Sequence, residues 1–149
     1  MRLATSLSLE VIEYIAQEVR RQGDGPLHVS YMCRAWVDAL NAKQRAEPIS
    51  HGLIQFWAAF IEPEENRQGY RTHRVGVSNS TEPWLIQVEM NGLLMTLKNY
   101  TPEDAYKRFE EIHPFGDGNG RTGKVIYNFL KDTLKKPEIP PNFFGCRNP

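Results

Sequence analysis

Cysteine is scarce: Cys33 and Cys146 are the only two among 149 residues. A distant pair is a poor disulfide framework, so both are expected as reduced thiols in a cytoplasmic protein. No stretch approaches the roughly 18 apolar residues of a membrane span, and no membrane partner is expected. Arg2 and the apolar residues after it have the look of a leader, but Glu10 and Glu13 break the run and no small-residue cleavage site follows. Neither sign of charge is in surplus, with 18 basic residues against 18 acidic ones. Such a chain has no general electrostatic footprint for nucleic acid, and no nucleic-acid partner is expected. The two cysteines and four histidines lack the spacing of zinc ligands. Internal repeats, low-complexity tracts and long linkers are absent as well, so residues 1–149 are expected to form a single domain. What is present suits a packed core: 40% of residues are hydrophobic and 24% charged.

Helical spacing dominates the chain. Leu9, Ile12, Ile15, Ala16 and Val19 place an amphipathic helix over 8–21, with Ser8 as its cap. The run Gln22-Gly23-Asp24-Gly25-Pro26 breaks it. A second helix is expected over about 27–45, with Met32, Ala35, Trp36, Ala39 and Leu40 inward. A third starts near Ser50 and carries Leu53, Phe56, Trp57, Phe60 and Ile61 as an apolar stripe up to Pro63. Tyr70, Thr72, Val75 and Val77 are strand formers ahead of the turn cluster Ser78-Asn79-Ser80-Thr81, so a short β-hairpin is expected near 70–82. Arg71, His73 and Arg74 fall on this hairpin, either as an exposed strand face or as a docking surface. Pro83 opens a helix running through Leu85–Leu97, which Gly92 weakens. Thr101-Pro102-Glu103-Asp104 is a well-formed helix start: a hydroxyl cap, Pro at the first position, and acids at the positive end. That helix runs to about Ile112. A last core helix carries Val125, Ile126, Phe129, Leu130 and Leu134, before a Pro-rich irregular tail.

The chemistry is concentrated between the last two helices, from His113 to Lys124. Gly116, Gly118, Gly120 and Gly123 free the backbone to turn N–H groups one way, and such a nest at a helix N-terminus binds phosphate. Arg121 and Lys124 add positive charge beside it, and Arg grips phosphate bidentately. Asp117 offers a hard oxygen for Mg²⁺, which usually takes one or two carboxylates plus substrate phosphates. His113 exchanges a proton near neutral pH. Base, metal ligand, anion nest and cations together indicate nucleotide chemistry.

Three competing readings are weaker. Asp117-Gly118 and Asn119-Gly120 are hairpin signals, which would demand strands on both sides. Gly118 to Lys124 fits GxxxxGK, yet Val125 stands where a P-loop needs Ser or Thr, and no buried strand precedes it. An EF-hand read from Asp117 has Thr122 at its sixth position and Asn128 at its twelfth, where Gly and Glu are needed.

The stretch His113-Pro114-Phe115-Gly116-Asp117-Gly118-Asn119-Gly120-Arg121-Thr122-Gly123-Lys124 resembles the Fic signature H-x-F-x-[DE]-G-N-G-R-x-x-R, with seven of eight fixed positions matched. The resemblance implies a mainly α, Fic-like helical bundle with a short β-hairpin flap over about 70–82, a core over about 50–135 and an active loop at 113–124. It implies a protein adenylyltransferase that moves AMP from ATP to a Ser, Thr or Tyr hydroxyl. His113 would be the general base and Phe115 a core anchor. Asp117 would hold Mg²⁺, Gly118 and Gly120 would line the anion hole with Asn119 helping to orient the phosphates, and Gly116 would be a further cofactor-binding residue. Arg121 would stabilise the leaving pyrophosphate. Lys124 departs from the signature: it keeps the charge of the final Arg but not its planar fork, so grip on the terminal phosphates is expected to be looser. A catalytically weak nucleotide-binding module, or transfer of another phosphate-containing group, is the alternative. The resemblance further implies a protein substrate docked on the flap. The inhibitory pattern [ST]-x-x-x-E-[GN] of many Fic proteins has no convincing match, since Val11 follows Ser6-x-x-x-Glu10 and Pro83 follows Ser78-x-x-x-Glu82. Inhibition would then come from a separate protein or be lacking.

Overall fold

The computed structural model describes residues 6–77 and 79–144. Cys146 and Ser78, on which a thiol and part of a turn are expected, lie outside the described residues. Among the described residues seven α-helices follow one another: α1 (Leu9–Arg21), α2 (Pro26–Gln44), α3 (His51–Ile61), the single turn α4 (Pro63–Asn66), α5 (Ile86–Met95), α6 (Pro102–Ile112) and α7 (Asn119–Lys131). Among the described residues there is no strand. The expected caps are in place. Ser8 accepts from the Val11 N–H, Ser50 from Leu53 and Thr101 from Asp104, each satisfying an N–H that the first turn leaves without an intrahelical acceptor.

Helix α7 is the centre. It packs against α2, α3 and α6, and every residue from Gly118 to Phe129 is buried. Val125, Ile126 and Phe129 join Trp36, Trp57, Phe109 and Ile15 in one hydrophobic core. The Trp36 indole N–H donates to the Leu134 carbonyl at 2.8 Å, which fixes the chain just past α7. Leu134 is buried but lies beyond the helix, because Asp132 turns left-handed (φ 64°) and ends α7 earlier than the apolar spacing implied. The aromatic stripe of α3 is also narrower than expected: Trp57 and Ile61 are buried, whereas Phe56 is 52% exposed and meets the Phe60 ring at a tilt. The helix expected from Pro83 breaks into two short 3₁₀ turns flanking α5, at Pro83–Leu85 and Leu97–Asn99.

Among the described residues the expected hairpin does not form. A hairpin needs the backbone groups of its two arms to pair with each other. Here the Arg71 N–H donates to the Pro114 carbonyl (2.9 Å) and the Thr81 N–H to the Ile112 carbonyl (3.3 Å). Both arms spend donors on the end of α6 and the loop after it. Strand-forming residues thus yield an irregular segment laid over the loop.

The join between α3 and α7 is close. Gly118 adopts φ +73°, and a Cβ there would stand 3.0 Å from Ile61 Cγ2 and 3.1 Å from Glu62 Cγ. A side chain at 118 therefore meets both a left-handed backbone and the end of α3. Gly118→Ala is expected to cost about 1–2 kcal/mol from the backbone conformation alone, and more if α3 must shift. A lowered urea midpoint at unchanged slope checks this; an unchanged midpoint refutes it.

Candidate active site

Helix α6 ends at Ile112, and His113 follows in the left-handed region (φ 53°, ψ 62°), its N–H donating to the Phe109 carbonyl. For a residue with a Cβ that turn costs about 1–2 kcal/mol, so the surroundings must hold it. Arg71 supplies the hold. Its Nε donates to the His113 carbonyl (2.7 Å) and its Nη2 to the Ile112 carbonyl (3.4 Å). The His113 side chain itself is 1% exposed.

The loop after His113 is fixed by amides. Asn119 Oδ1 accepts from the Phe115 N–H (2.9 Å), and Asn119 Nδ2 donates to the Phe115 carbonyl (2.8 Å). Asn66 on α4 donates to the Asp117 carbonyl at 2.9 Å. Phe115 is fully buried between the rings of Tyr70 and Phe109. The Asp117 carboxylate is 37% exposed, and its Oδ1 accepts from the Gly118 N–H. A solvent-reaching carboxylate beside a helix start fits the demands of Mg²⁺, which keeps several waters and few protein ligands.

Charge is the site's other ordering force. Arg121 is 2% exposed, and its Nη2 lies 2.8 Å from Glu62 Oε1, 3.4 Å from Asp24 Oδ2 and 4.0 Å from Asp117 Oδ1. Its Nε and Nη1 are buried with no hydrogen-bond partner among the described residues. Lys124 Nζ lies 2.9 Å from Glu18 Oε1, which also accepts from Arg21 Nη2 at 2.7 Å. Burial alone would push the Glu18 carboxyl up; the Arg21 hydrogen bond and the Lys124 charge outweigh it and hold it below its ordinary value. Asp24, His28 and Glu62 place ligand atoms within 4.8 Å of one another, the spacing of a metal cluster. The Arg121 guanidinium already pairs with two of the three, Glu62 and Asp24, so this cluster is compensated by a cation of the chain itself.

The structure brings the expected residues together in two groups. Gly120 and Lys124 line a cavity of about 270 Å³, along with Glu18, Arg21, Glu110 and the tail residues Ile139–Phe144. Asp117 and Arg121 meet at the start of α7. His113 is not among the cavity's lining residues. The glycines divide likewise. Gly120 has only the end of the Gln22 side chain over it (3.4 Å), whereas Gly116 abuts Glu65 and His73, and Gly118 abuts α3. Asn119 places its amide on the loop backbone. The sequence pointed to none of Glu18, Glu62, Asn66 or the buried role of Arg71. For Glu18 a signal existed: it lies on the stripe Val11, Ile15, Glu18 and Val19 that α1 buries. A lone carboxylate on an apolar face calls for a cationic partner.

Comparison with known proteins converges on one family. The family described as Fic/DOC matches residues 102–130, which span α6, the loop and most of α7. A probable protein adenylyltransferase of Aquifex aeolicus (strain VF5) is 26% identical over 144 residues, covering 84% of this chain and 45% of that protein. Among solved structures, IbpAFic2 covalently tethered to Cdc42 superposes with a TM-score of 0.68 at 19% identity, over 95% of this chain and 54% of that one. A Fic-domain-containing signaling protein from Bacteroides thetaiotaomicron gives a TM-score of 0.57 at 16% identity, over 93% and 72%. At these identities the structural likeness shows the fold. The chain spans about half the length of the Aquifex relative and of the IbpAFic2 chain. The matched helix–loop–helix and the shared helical fold are this chain's likeness to the Fic/DOC family.

Proposed function

We propose that this chain is a protein adenylyltransferase that transfers AMP from ATP to a hydroxyl of a target protein. The observation that carries the reading is Arg121, whose Nε and Nη1 are buried donors with no hydrogen-bond partner among the described residues. Leaving such donors unmet costs on the order of 1–3 kcal/mol each, and an anion at the start of α7 would satisfy them. The start of α7 favours the same ligand, since a helix N-terminus carries the positive end of the helix dipole. The named relatives support the substrates: one is a probable protein adenylyltransferase, and IbpAFic2 has been captured with adenylylated Cdc42.

In this reading the target's hydroxyl gives its proton to His113 as its oxygen bonds the α-phosphorus. The bond from that phosphorus to the bridging oxygen breaks, and pyrophosphate leaves with the electron pair. Arg121 opposes the charge of the leaving group, and Asn119 acts one step back by fixing the loop backbone. Mg²⁺, held by Asp117, would neutralise the triphosphate when bound. Because His113 is buried, the hydroxyl reaches it only once the surrounding chain shifts. The described residues of 70–82 are where we place the docking of the target.

Lys124 favours a second reading, a weak enzyme or a nucleotide-binding module. Glu18 holds the Lys124 ammonium at 2.9 Å, so an incoming phosphate must compete with a carboxylate already seated there. This restraint lies within the chain and needs no separate inhibitory protein. P-loop chemistry is disfavoured, because a helix rather than a strand leads into the glycine loop.

The direct test uses ATP labelled at the α-phosphate, Mg²⁺ and a cell lysate. Wild type is expected to label protein, and His113→Ala to lose that label by at least about a hundredfold, the usual worth of a general base. Label appearing only from the γ-phosphate would mark a kinase, and silence with retained ATP binding would favour the module. Separately, Glu18→Gln removes the competing charge and is expected to tighten ATP binding by about tenfold, equivalent to 1.4 kcal/mol. Calorimetric titration reads this, and an unchanged Kd would mean that Glu18 does not compete with phosphate.

A further inference from the structure

We infer that Arg71 is a positioning residue for His113, coupling the target-docking segment to the catalytic base. The inference rests on the reading of His113 as that base. Arg71 is 4% exposed, so it is neither the strand-face residue nor the surface docking residue that its sequence position allows. Every hydrogen bond its guanidinium makes among the described residues ends on a backbone carbonyl. Nε reaches His113 (2.7 Å), Nη1 reaches His73 (2.9 Å), and Nη2 reaches Thr81 (2.5 Å) and Ile112 (3.4 Å). Its backbone N–H adds a bond to the Pro114 carbonyl at 2.9 Å. One residue thus holds three consecutive carbonyls, from Ile112 to Pro114, while gripping both arms of the segment laid over them.

Two physical reasons make this more than packing. The last carbonyls of a helix carry its negative partial charge, so a cation at Ile112 and His113 is favoured where an apolar side chain is not. Only Arg presents a planar fork of five donors that can meet several carbonyls in fixed directions; Lys offers a point charge on a flexible stem. The left-handed turn at His113 also needs outside support, and the bond to its own carbonyl supplies it. Without that bond the backbone contacts on either side hold the His113 turn less firmly, and the imidazole direction set by that turn shifts.

The test uses the whole chain with Arg71→Gln and Arg71→Lys. Each variant is first titrated with ATP, then assayed with α-labelled ATP and lysate, while the imidazole resonances of His113 and the distant His28 are followed by NMR. Arg71→Gln is expected to lower turnover by about a hundredfold, the effect of an ångström-scale misplacement, with ATP affinity kept within roughly twofold. His113 resonances should move and those of His28 should not. Lys is expected to restore little, whereas added guanidinium should partly rescue an Arg71→Ala chain. A folded Arg71→Gln chain whose His113 resonances coincide with wild type overturns the inference. So does a parallel loss of turnover and ATP binding, which marks a purely structural role. If wild type transfers no label, the adenylyltransferase reading falls, and the His113 resonances still decide the role of Arg71. If all variants unfold, the wild-type Arg71 Nε–H decides it: exchange as fast as that of exposed arginines excludes the bond to His113.

Discussion

Two cations buried on the central helix set the terms for the rest of this molecule. A guanidinium or ammonium withdrawn from water costs several kcal/mol unless charge and hydrogen bonds are returned to it. Arg121 and Lys124 lie on α7, which is surrounded by helices, so the return has to come from neighbouring elements. Lys124 draws Glu18 from α1, while Arg121 draws Glu62 from the end of α3 and Asp24 from the turn after α1. These pairs tie the first part of the chain to the helix that carries the motif. They also put carboxylates where a nucleotide's phosphates are expected. On the proposed reading, folding and phosphate binding call on the same two cations.

That competition is uneven. Lys124 gives its ammonium to a Glu18 that Arg21 also grips, and this holds the carboxylate ionised in place. Arg121 commits Nη2 alone and keeps two donors in reserve. An anion can thus engage Arg121 without breaking its existing pairs, whereas Lys124 must first give up Glu18. The replacement of the signature's final Arg falls on the cation that is harder to free.

The sequence disclosed elements more readily than their surroundings. Ser8, Ser50 and Thr101 announced their helices because capping is decided within four residues. The site's residue types were legible for the same reason, since the motif is local. The acids around it were not, because Glu18, Asp24 and Glu62 reach α7 from positions about 60 to 105 residues away, and nothing local fixes that geometry. The failed hairpin has the same origin. Tyr70 to Val77 has the composition of a strand, but strand propensity mostly reflects what a segment packs against. Here the carbonyls at the end of α6 were better acceptors for its donors than a second arm.

Two asparagines on α7 carry this organisation past the motif. Asn119 closes on Phe115, ahead of the helix. Asn128, also fully buried, accepts from the Thr133 hydroxyl and the Glu138 N–H, beyond it. Each amide turns the helix into an anchor for the irregular chain next to it. Tyr14 completes the second anchor by donating to the Glu138 carbonyl from α1. The tail so fixed continues into Ile139–Phe144, which wall the cavity that Gly120 and Lys124 open into. One helix therefore sets the loop that presents His113 and Asp117 on one side and the wall of the neighbouring cavity on the other. A change at either asparagine would reach the site through backbone placement, without touching a charged group.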